Sequence, residues 1–323
     1  MINNFFFLIK IIRVFKRHAL LNLISSSIRF KILFRIFTEI IAIGTFKDQT
    51  ISKEKNGIRI AKALNELGPS FVKLGQLIST RPDIVGNEIA EDLSLLRDNL
   101  PPFSQSEAIK IIESELGNKI EAIFRNFSEP IAAASIAQVH YGEIVEGGKT
   151  ISVAIKVLRP NIDTIIYQEM ERLEWLTSFM ENFSEFKRLR PKSIIQKAKE
   201  VIKFELDLRY EAAAASELSE NTKIDETFYV PKIYWEKVSK RVLTMEKVNG
   251  TPADKIKKLI DNNFNIKKSA SNLIVNFLRQ AIRDGYFHAD LHQGNLFLNK
   301  EGNLLAVDFG IMGRLDKKNR KYL

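Results

Sequence analysis

Two aspartates and an asparagine near the end of this chain have the types and the spacing for chemistry. Asp290 and Asn295 lie in His288-Ala-Asp-Leu-His-Gln-Gly-Asn295, and Asp308 follows in Val307-Asp-Phe-Gly310. Asn295 and Asp308 offer hard oxygen ligands that suit Mg²⁺. Asp290 can orient or deprotonate an attacking hydroxyl or water. Together they describe phosphoryl transfer. That reaction asks for little covalent chemistry from a protein, only a phosphate held in line with its charge neutralised. Each residue alone is a weak signal, since Asp-Phe-Gly is an ordinary turn. Their order, on a predicted helix, loop and hairpin, gives the reading its weight.

Such a site needs a cation for the inner phosphates of ATP. Val153-Ala154-Ile155-Lys156 supplies one on a strand that follows the turn Glu146-Gly147-Gly148, a hairpin signal. Lys156 in turn needs a carboxylate to position it. Glu205, Asp207 and Glu211 are available, and Asp207 and Glu211, four apart, are expected to share a helix face. Glu211 is the candidate partner. Further on, Thr244-Met-Glu246-Lys-Val248 ends a strand, and the backbone of Glu246 and Val248 is placed to meet the adenine edge. One part is missing. Where a glycine-rich phosphate loop is expected stands Pro130-Ile-Ala132-Ala133-Ala134-Ser135-Ile136-Ala137-Gln-Val-His140. A Cβ at those positions forbids most of the backbone freedom glycine has. The lid is therefore stiffer, which argues against an ordinary protein kinase.

The elements that must hold these groups are legible in outline. Ile60, Ala63, Leu64 and Leu67 mark a helix, and Ser106 to Leu116 another that Gly117 ends. The runs around Gly147 read as a β-hairpin. Residues 161–220 are helical and charged. Residues 228–248 read as a second hairpin and 296–310 as a third. Between these two, residues 267–284 form a helix with Leu273, Phe277, Leu278 and Ile282 apolar. The layout is α+β. Four stretches are expected: a basic amphipathic segment at 1–48, a helical extension at 49–122, a stranded lobe at 123–250, and a partial second lobe at 251–323.

Zero cysteines exclude disulfides and thiolate chemistry, and the four histidines show no zinc-type pairing. The net charge is +10, and the first fifty residues hold eight Lys/Arg against two Asp/Glu. An anionic partner is implied there. Phe5, Leu8, Ile12, Phe15 and Ala19 form one helical stripe, with Lys10, Arg13 and Arg17 opposite. Phe30, Leu33, Phe34, Phe37 and Ile41 repeat the design against Lys31 and Arg35, and residues 44–56 read as a polar linker. No apolar run reaches the roughly 18 residues of a spanning helix. The expectation is a peripheral helix on a lipid surface, or a pair of helices packed on the protein itself. Nucleic acid is disfavoured as a partner, because an Ile/Phe stripe would lack a dry counterpart.

These residues resemble the UbiB/AarF family of atypical kinase-like proteins. The likeness rests on the alanine-rich loop and on Gly68-Pro-Ser-Phe-Val-Lys73-Leu-Gly-Gln76, followed by Ser79-Thr-Arg-Pro-Asp83. It rests also on Glu205-x-Asp207, and on His288–Asn295 with Val307–Gly310. It covers about residues 57–323. It implies a kinase-like bilobal fold with a helical N-terminal extension and an incomplete C-lobe. It implies use of ATP and Mg²⁺ and a place in ubiquinone biosynthesis, at the cytoplasmic face of a membrane beside isoprenoid-quinone intermediates and biosynthetic partner proteins. Lys73 and Gln76 share a helix face, which the resemblance sets across the nucleotide cleft near Glu205 and Asp207, as a regulatory lid. Gly86, Arg97, Leu291 and Gln293 depart from the family's usual residues and remove no chemical group. Family members continue well beyond Asp-Phe-Gly. The helix at 267–284 is therefore expected to expose apolar residues, and a second chain could supply the rest of the lobe. Two alternatives stand: an inactive fragment acting as a membrane or protein-interaction module, and a small-molecule phosphotransferase, against which Lys73 and Gln76 speak.

Overall fold

The computed structural model describes residues 2–21, 38–46, 48, 54–94, 96, 101–182, 187 and 190–322. The chain forms two compact units. One comprises residues 1–101, 133–136 and 161–203, and the other 102–132, 137–160 and 204–323.

The first unit is helical. Its described helices are α1 (Ile2–Arg17), α2 (Asn56–Leu67), α3 (Pro69–Ser79), α4 (Pro82–Val85), α5 (Asn87–Ser94), α8 (Ile162–Met180) and most of α9 (Pro191–Glu205). Gly68, at φ +121°, separates α2 from α3, a conformation that favours glycine. Gly75 explains itself by contact. A Cβ there would lie 2.6 Å from the methyl ends of Leu64 and Leu96, so the glycine lets α3 close on its neighbours.

Helix α1 corrects the expected stripe. Phe5 is half-exposed, whereas Phe7, Ile11, Ile12 and Val14 are buried. The Phe7 ring meets Phe71 at 5.9 Å, and Ile12 joins Leu21 and Ala42, with Leu8, Phe15 and Ile41 packed alongside. Basic residues expected to face away are partly spent within the unit. Lys10 donates to the Leu67 carbonyl at 2.8 Å, and Arg17 and His18 both reach Glu66. The second basic stripe (Phe30, Lys31, Leu33, Phe34, Arg35, Phe37) lies outside the described residues, as do Arg97 and most of the linker before Glu54.

The second unit holds the strands, apart from Ala133 at the end of the first, and further helices that begin with α6 (Gln105–Leu116) and α7 (Ile120–Ile123). Ser104 caps α6 in a reciprocal box with Glu107, and Gly117 ends it in the left-handed conformation. Strands β1 (Pro130–Ala133), β2 (Ala137–Glu146), β3 (Lys149–Leu158) and β5 (Val242–Glu246) form one sheet in the order β1-β2-β3-β5. Side chains alternate across it. Ile144, Val153, Ile155, Val157 and Val242 bury one face against Ile112, Ile120 and Phe124. The register sets Val139 opposite Lys156 and Ala154 opposite Met245 on the other face.

Residues 228–248 are not a hairpin. β4 (Phe228–Tyr229) pairs in parallel with β9 (Leu304–Ala306), while β5 pairs with β3. A single bridge, Ile233 to Met245, links the two halves. β6 (Thr251–Pro252) and β8 (Leu296–Leu298) complete the β4-β9-β8-β6 sheet, and β8 with β9 is the expected third hairpin. The remaining helices are α10 (Leu208–Asn221), α11 (Ile256–Asp261) and α12 (Ile266–Leu278). A π-helical turn, Arg279–Asp284, follows α12. The helix expected over 267–284 thus changes its winding midway, a form often found at functional sites.

A buried polar chain ties β2 to the segment before α6. Gln138 exchanges hydrogen bonds with the backbone of Phe103, and its Nε2 donates to His140 Nε2 at 2.8 Å. His140 Nδ1 donates to the Ser128 carbonyl at 2.8 Å. With Nδ1 donating and Nε2 accepting, the ring is neutral, and burial holds it below the usual histidine value. The unfolded chain titrates near 6.5. Between that value and the lower folded one, the unfolded state binds the extra proton. The stability from this network is therefore complete above about pH 6.5 and is lost as pH falls through the window, by up to about 1.4 kcal/mol per pH unit. Urea unfolding followed across that range should show the slope. His140→Asn, which keeps a donor for Ser128, should flatten it; an unchanged slope would remove His140 from the account.

Candidate functional site

The site lies within the second unit. Lys156 projects from β3 on the face opposite the core. Its Nζ donates to both carboxylate oxygens of Glu211, at 2.9 and 2.8 Å, and lies 3.4 Å from Asp308 Oδ2. Glu211 sits in the first turn of α10 and is buried. Burial pushes its carboxyl up, and the Lys156 ammonium is the main influence that opposes this. Lys156, Glu211 and Asp308 are thus brought together from three separate elements.

The expectation of a shared face for Asp207 and Glu211 needs correcting. The helical run breaks after Glu205, and Asp207 becomes the N-cap of α10, accepting from the Arg209 N–H. Its carboxylate also accepts from the Arg209 guanidinium at 2.9 and 2.6 Å, which holds it below the usual aspartate value. A short polar side chain satisfies the open N–H groups of a helix start, so Asp207 serves geometry here. Glu205 ends α9. Lys73 and Gln76 lie on α3 in the first unit, where Gln76 donates to the Leu96 carbonyl at 3.4 Å.

A pair of short strands positions the remaining groups. β7 (Tyr286–His288) pairs with β10 (Met312–Arg314), and Ala289 N donates to the Ile311 carbonyl. That pairing brackets the loop carrying Asp290 and Asn295 on one side and Asp308 on the other. Asn295 Nδ2 donates to the Asp290 carbonyl at 3.1 Å, and Val307 N donates to the Asn295 carbonyl at 2.9 Å. Asp308 sits at φ +60°, a left-handed conformation that costs a non-glycine residue energy and is common at functional positions. Its carboxylate is half-exposed, and the neighbouring Phe309 is buried.

His288 is the residue whose importance sequence reasoning missed. It is buried, its ring Nδ1 accepts from the Asp290 backbone N–H at 3.2 Å, and its backbone N–H donates to Gln280 Oε1 in the π-helical turn at 3.2 Å. Its ring packs 5.6 Å from that of Phe309. The turn, the loop and the Asp308 segment thus share one buried histidine. Its presence in the quoted motif was the available signal.

At the end of β5, Glu246 N donates to the Lys232 carbonyl at 2.8 Å, and its carboxylate accepts from Tyr229 Oη. Lys247 Nζ stands 4.0 Å from the centre of the Tyr141 ring. Among the described residues, no group bonds the Val248 N–H. Of the alanine-rich stretch, Ala132 and Ala137 belong to the second unit and Ala133–Ile136 to the first. Ser135, Ile136 and Ala137 are buried, and Ala132 is exposed.

The donor set fits a hard divalent cation that brings ligands of its own. The bond from the Val307 N–H to the Asn295 carbonyl sets the residue before Asp308 beside Asn295, and no cluster of three or more His, Asp or Glu among the described residues could hold a metal unaided. Mg²⁺ commonly takes one or two protein ligands and completes its shell with phosphate and water.

A strand lysine tied to a helical glutamate, an Asp…Asn loop and an aspartate after a hairpin, on this arrangement of sheets, define a kinase-like fold. The comparisons narrow it: residues 95–323 match the model of the ABC1 atypical kinase-like domain, and the chain belongs to that family. It is 39% identical over 273 residues to the probable protein kinase UbiB of Pseudomonas paraeruginosa, covering 83% of this chain and 51% of that protein. The similarly named protein of Cellvibrio japonicus is 37% identical over 322 residues, covering 98% of this chain and 56% of that one. The chain thus spans about half the length of these relatives. A solved structure from Mycobacterium tuberculosis, Rv3197 in complex with erythromycin, aligns with a TM-score of 0.55 at 26% identity, over 78% of this chain and 63% of that one.

Proposed function

We propose that this chain binds Mg-ATP on the second unit and works as an atypical kinase or ATPase in support of ubiquinone biosynthesis at a membrane surface. The observation that carries this is Lys156 set by its bonds to Glu211 within 3.4 Å of Asp308. In that position Lys156 binds the inner phosphates, and Glu211 keeps the ammonium aimed. Val139, Ala154 and Met245 offer an apolar face to the base, with the backbone of Glu246 and Val248 at its edge. A magnesium ion held by Asn295 and Asp308 would supply charge neutralisation at the outer phosphates. Asp290, its carboxylate partly exposed and 3.8 Å from His292, accepts the proton of the attacking oxygen. The isoprenoid-quinone setting is what the resemblance to the UbiB/AarF family implies, and the relatives named probable protein kinase UbiB support it.

A peripheral lipid contact is part of this reading. Among the described residues no helix is long and apolar enough to cross a membrane. Phe5, Phe6, Ile40, Ile43 and Phe46 are exposed, and Phe6 and Ile9 line an open groove of about 310 Å³ with Lys10, Arg13, Arg17 and Glu66, in which Arg17 pairs with Glu66 and Lys10 with the Leu67 carbonyl. Apolar side chains beside basic ones suit an anionic interface.

Phosphate release from ATP, with magnesium and with or without anionic vesicles, tests the proposal. Turnover is expected, with Asp290→Asn about 100-fold slower, within the usual worth of a general base. Equal rates for the two proteins would remove Asp290 from the mechanism.

A further inference from the structure

Helix α10 carries Glu211 in its first turn and Glu217 further on, about 9 Å along the axis at about 1.5 Å per residue. Both carboxylates meet the stretch that follows Asp308. The Phe309 backbone N–H reaches Glu211 and favours its charged form. The Arg314 guanidinium donates to Glu217 at 2.5 Å. Residues 309–314 are therefore pinned to the helix at both ends. The first pin belongs to the site already described. The second joins groups 97 residues apart in sequence and has no part in that site.

Arg314 is itself held in place. Its guanidinium carbon lies 4.5 Å from the centre of the buried Tyr286 ring, its partner across the β7–β10 pairing. A cation over a ring face is attracted to it. The two strands lie close, since a Cβ on Gly313 would come within 2.2 Å of the Phe287 ring. Movement of β10 is thus passed to β7, which leads through His288 to Asp290. A circuit closes: Lys156 holds Glu211, α10 carries that hold to Glu217, Glu217 holds Arg314, and Arg314 sits on the strand pair that brackets Asp290 and Asp308. The end of α10 is moored separately, where Arg283 donates to the Asn221 carbonyl at 3.2 Å. That tie reaches the π-helical turn, whereas the tie through Arg314 reaches β10.

We propose that Glu217 and Arg314 are positioning residues for phosphoryl transfer. Their contact keeps the helix that aims Lys156 in register with the segment bearing Asp308 and with the Asp290 loop. The effect on rate rests on the Mg-ATP reading, and the effect on the protein is measured without nucleotide. Both side chains are well exposed, 67% for Arg314 and 40% for Glu217. An exposed ion pair adds little to stability, so its removal leaves the fold intact and acts on alignment.

Arg314→Met and Glu217→Gln, singly and together in the full chain, test it. Without nucleotide, the amides of α10 and β10 should exchange about fivefold faster in each variant, while those of β2 and β3 keep their rates. The double variant should show no more effect than either single one, as expected of groups that act through one contact. Arg314→Lys keeps the charge and should restore most of the protection. In turnover, kcat should fall about fivefold with KM for ATP changed by less than about twofold, the pattern of lost alignment rather than lost binding. The ratio of wild-type to variant kcat should shrink towards one between about 0.05 and 0.5 M salt, because an exposed pair is screened. A role in packing alone would not respond to salt. Unchanged exchange on α10, or changes that simply add in the double variant, overturns the proposal whether or not the chain hydrolyses ATP. Faster exchange with an unchanged kcat overturns the positioning role. A wild-type chain that shows the exchange differences and no turnover overturns the ATP reading and the effect on rate with it, while the contact itself stands.

Discussion

Lys156→Met should lower ATP turnover by at least about 100-fold, the usual worth of a single electrostatic contact made in the transition state. It should destabilise the protein as well. Lys156 is the cation that offsets a fully buried Glu211. Without it Glu211 must take up a proton or stay as an unpaired buried charge, and breaking such a pair typically costs about 3–5 kcal/mol. Glu211→Gln leaves the ammonium near Asp308 but removes the charge that aims it, so turnover should fall by about tenfold or more. Lys156→Met with Glu211→Gln separates the two effects. The double variant should regain much of the stability lost by the lysine change alone, because no unpaired charge remains. Its turnover should stay at the level of the lysine variant. Urea unfolding and phosphate release on the same preparations measure both, and a double variant no more stable than Lys156→Met would show that the pair is not energetically coupled.

The second large effect is expected from a residue outside the site. Asp225 has 3% of its side chain exposed and accepts from Arg279 at 3.3 Å and from Arg283 at 2.9 and 2.8 Å. Both arginines belong to the π-helical turn that carries Gln280, and through Gln280 comes His288 and then Asp290. The arginines are part-exposed, so their share is screened, and the loss on Asp225→Ala should be about 2 kcal/mol rather than the full cost of a buried pair. Turnover should fall further than unfolding alone explains, because the turn that seats the Asp290 loop loses its anchor. Asp225→Asn keeps the acceptor oxygen and should lie between. The check is turnover at a temperature where both variants remain folded, and wild-type turnover in folded Asp225→Ala would disconnect the turn from the loop.

Why some of this was legible in the sequence and some was not has physical causes. The β2–β3 hairpin followed from two glycines between alternating runs, because a tight turn needs positive φ, and Gly147 and Gly148 both have it. Lys156 and Glu211 could be nominated as partners because phosphoryl transfer asks for a helical carboxylate to aim the strand lysine, and Glu205, Asp207 and Glu211 stand close together in the sequence. The parallel pairing of β4 with β9 was hidden, since two-residue strands carry no periodicity and the partner lies far along the chain. Asp225 was hidden for the same reason: its arginines are distant in sequence and their turn has π winding. Helix α1 shows a different ambiguity. A stripe of Phe and Ile suits a lipid surface and a protein core alike, and Phe7, Ile11 and Val14 found the core. Asp207 looked like a helix-face acid until the break after Glu205 made it a cap.

Everything proposed about function depends on whether a triphosphate with magnesium settles against Lys156, Asn295 and Asp308. Isothermal titration of the folded chain with ATP, with and without Mg²⁺, addresses this most directly. The account predicts saturable one-to-one binding that needs the metal and is lost in Asp308→Asn at unchanged thermal stability. Heats indistinguishable from buffer in the presence of metal, or binding that survives the loss of Asp308, would contradict it.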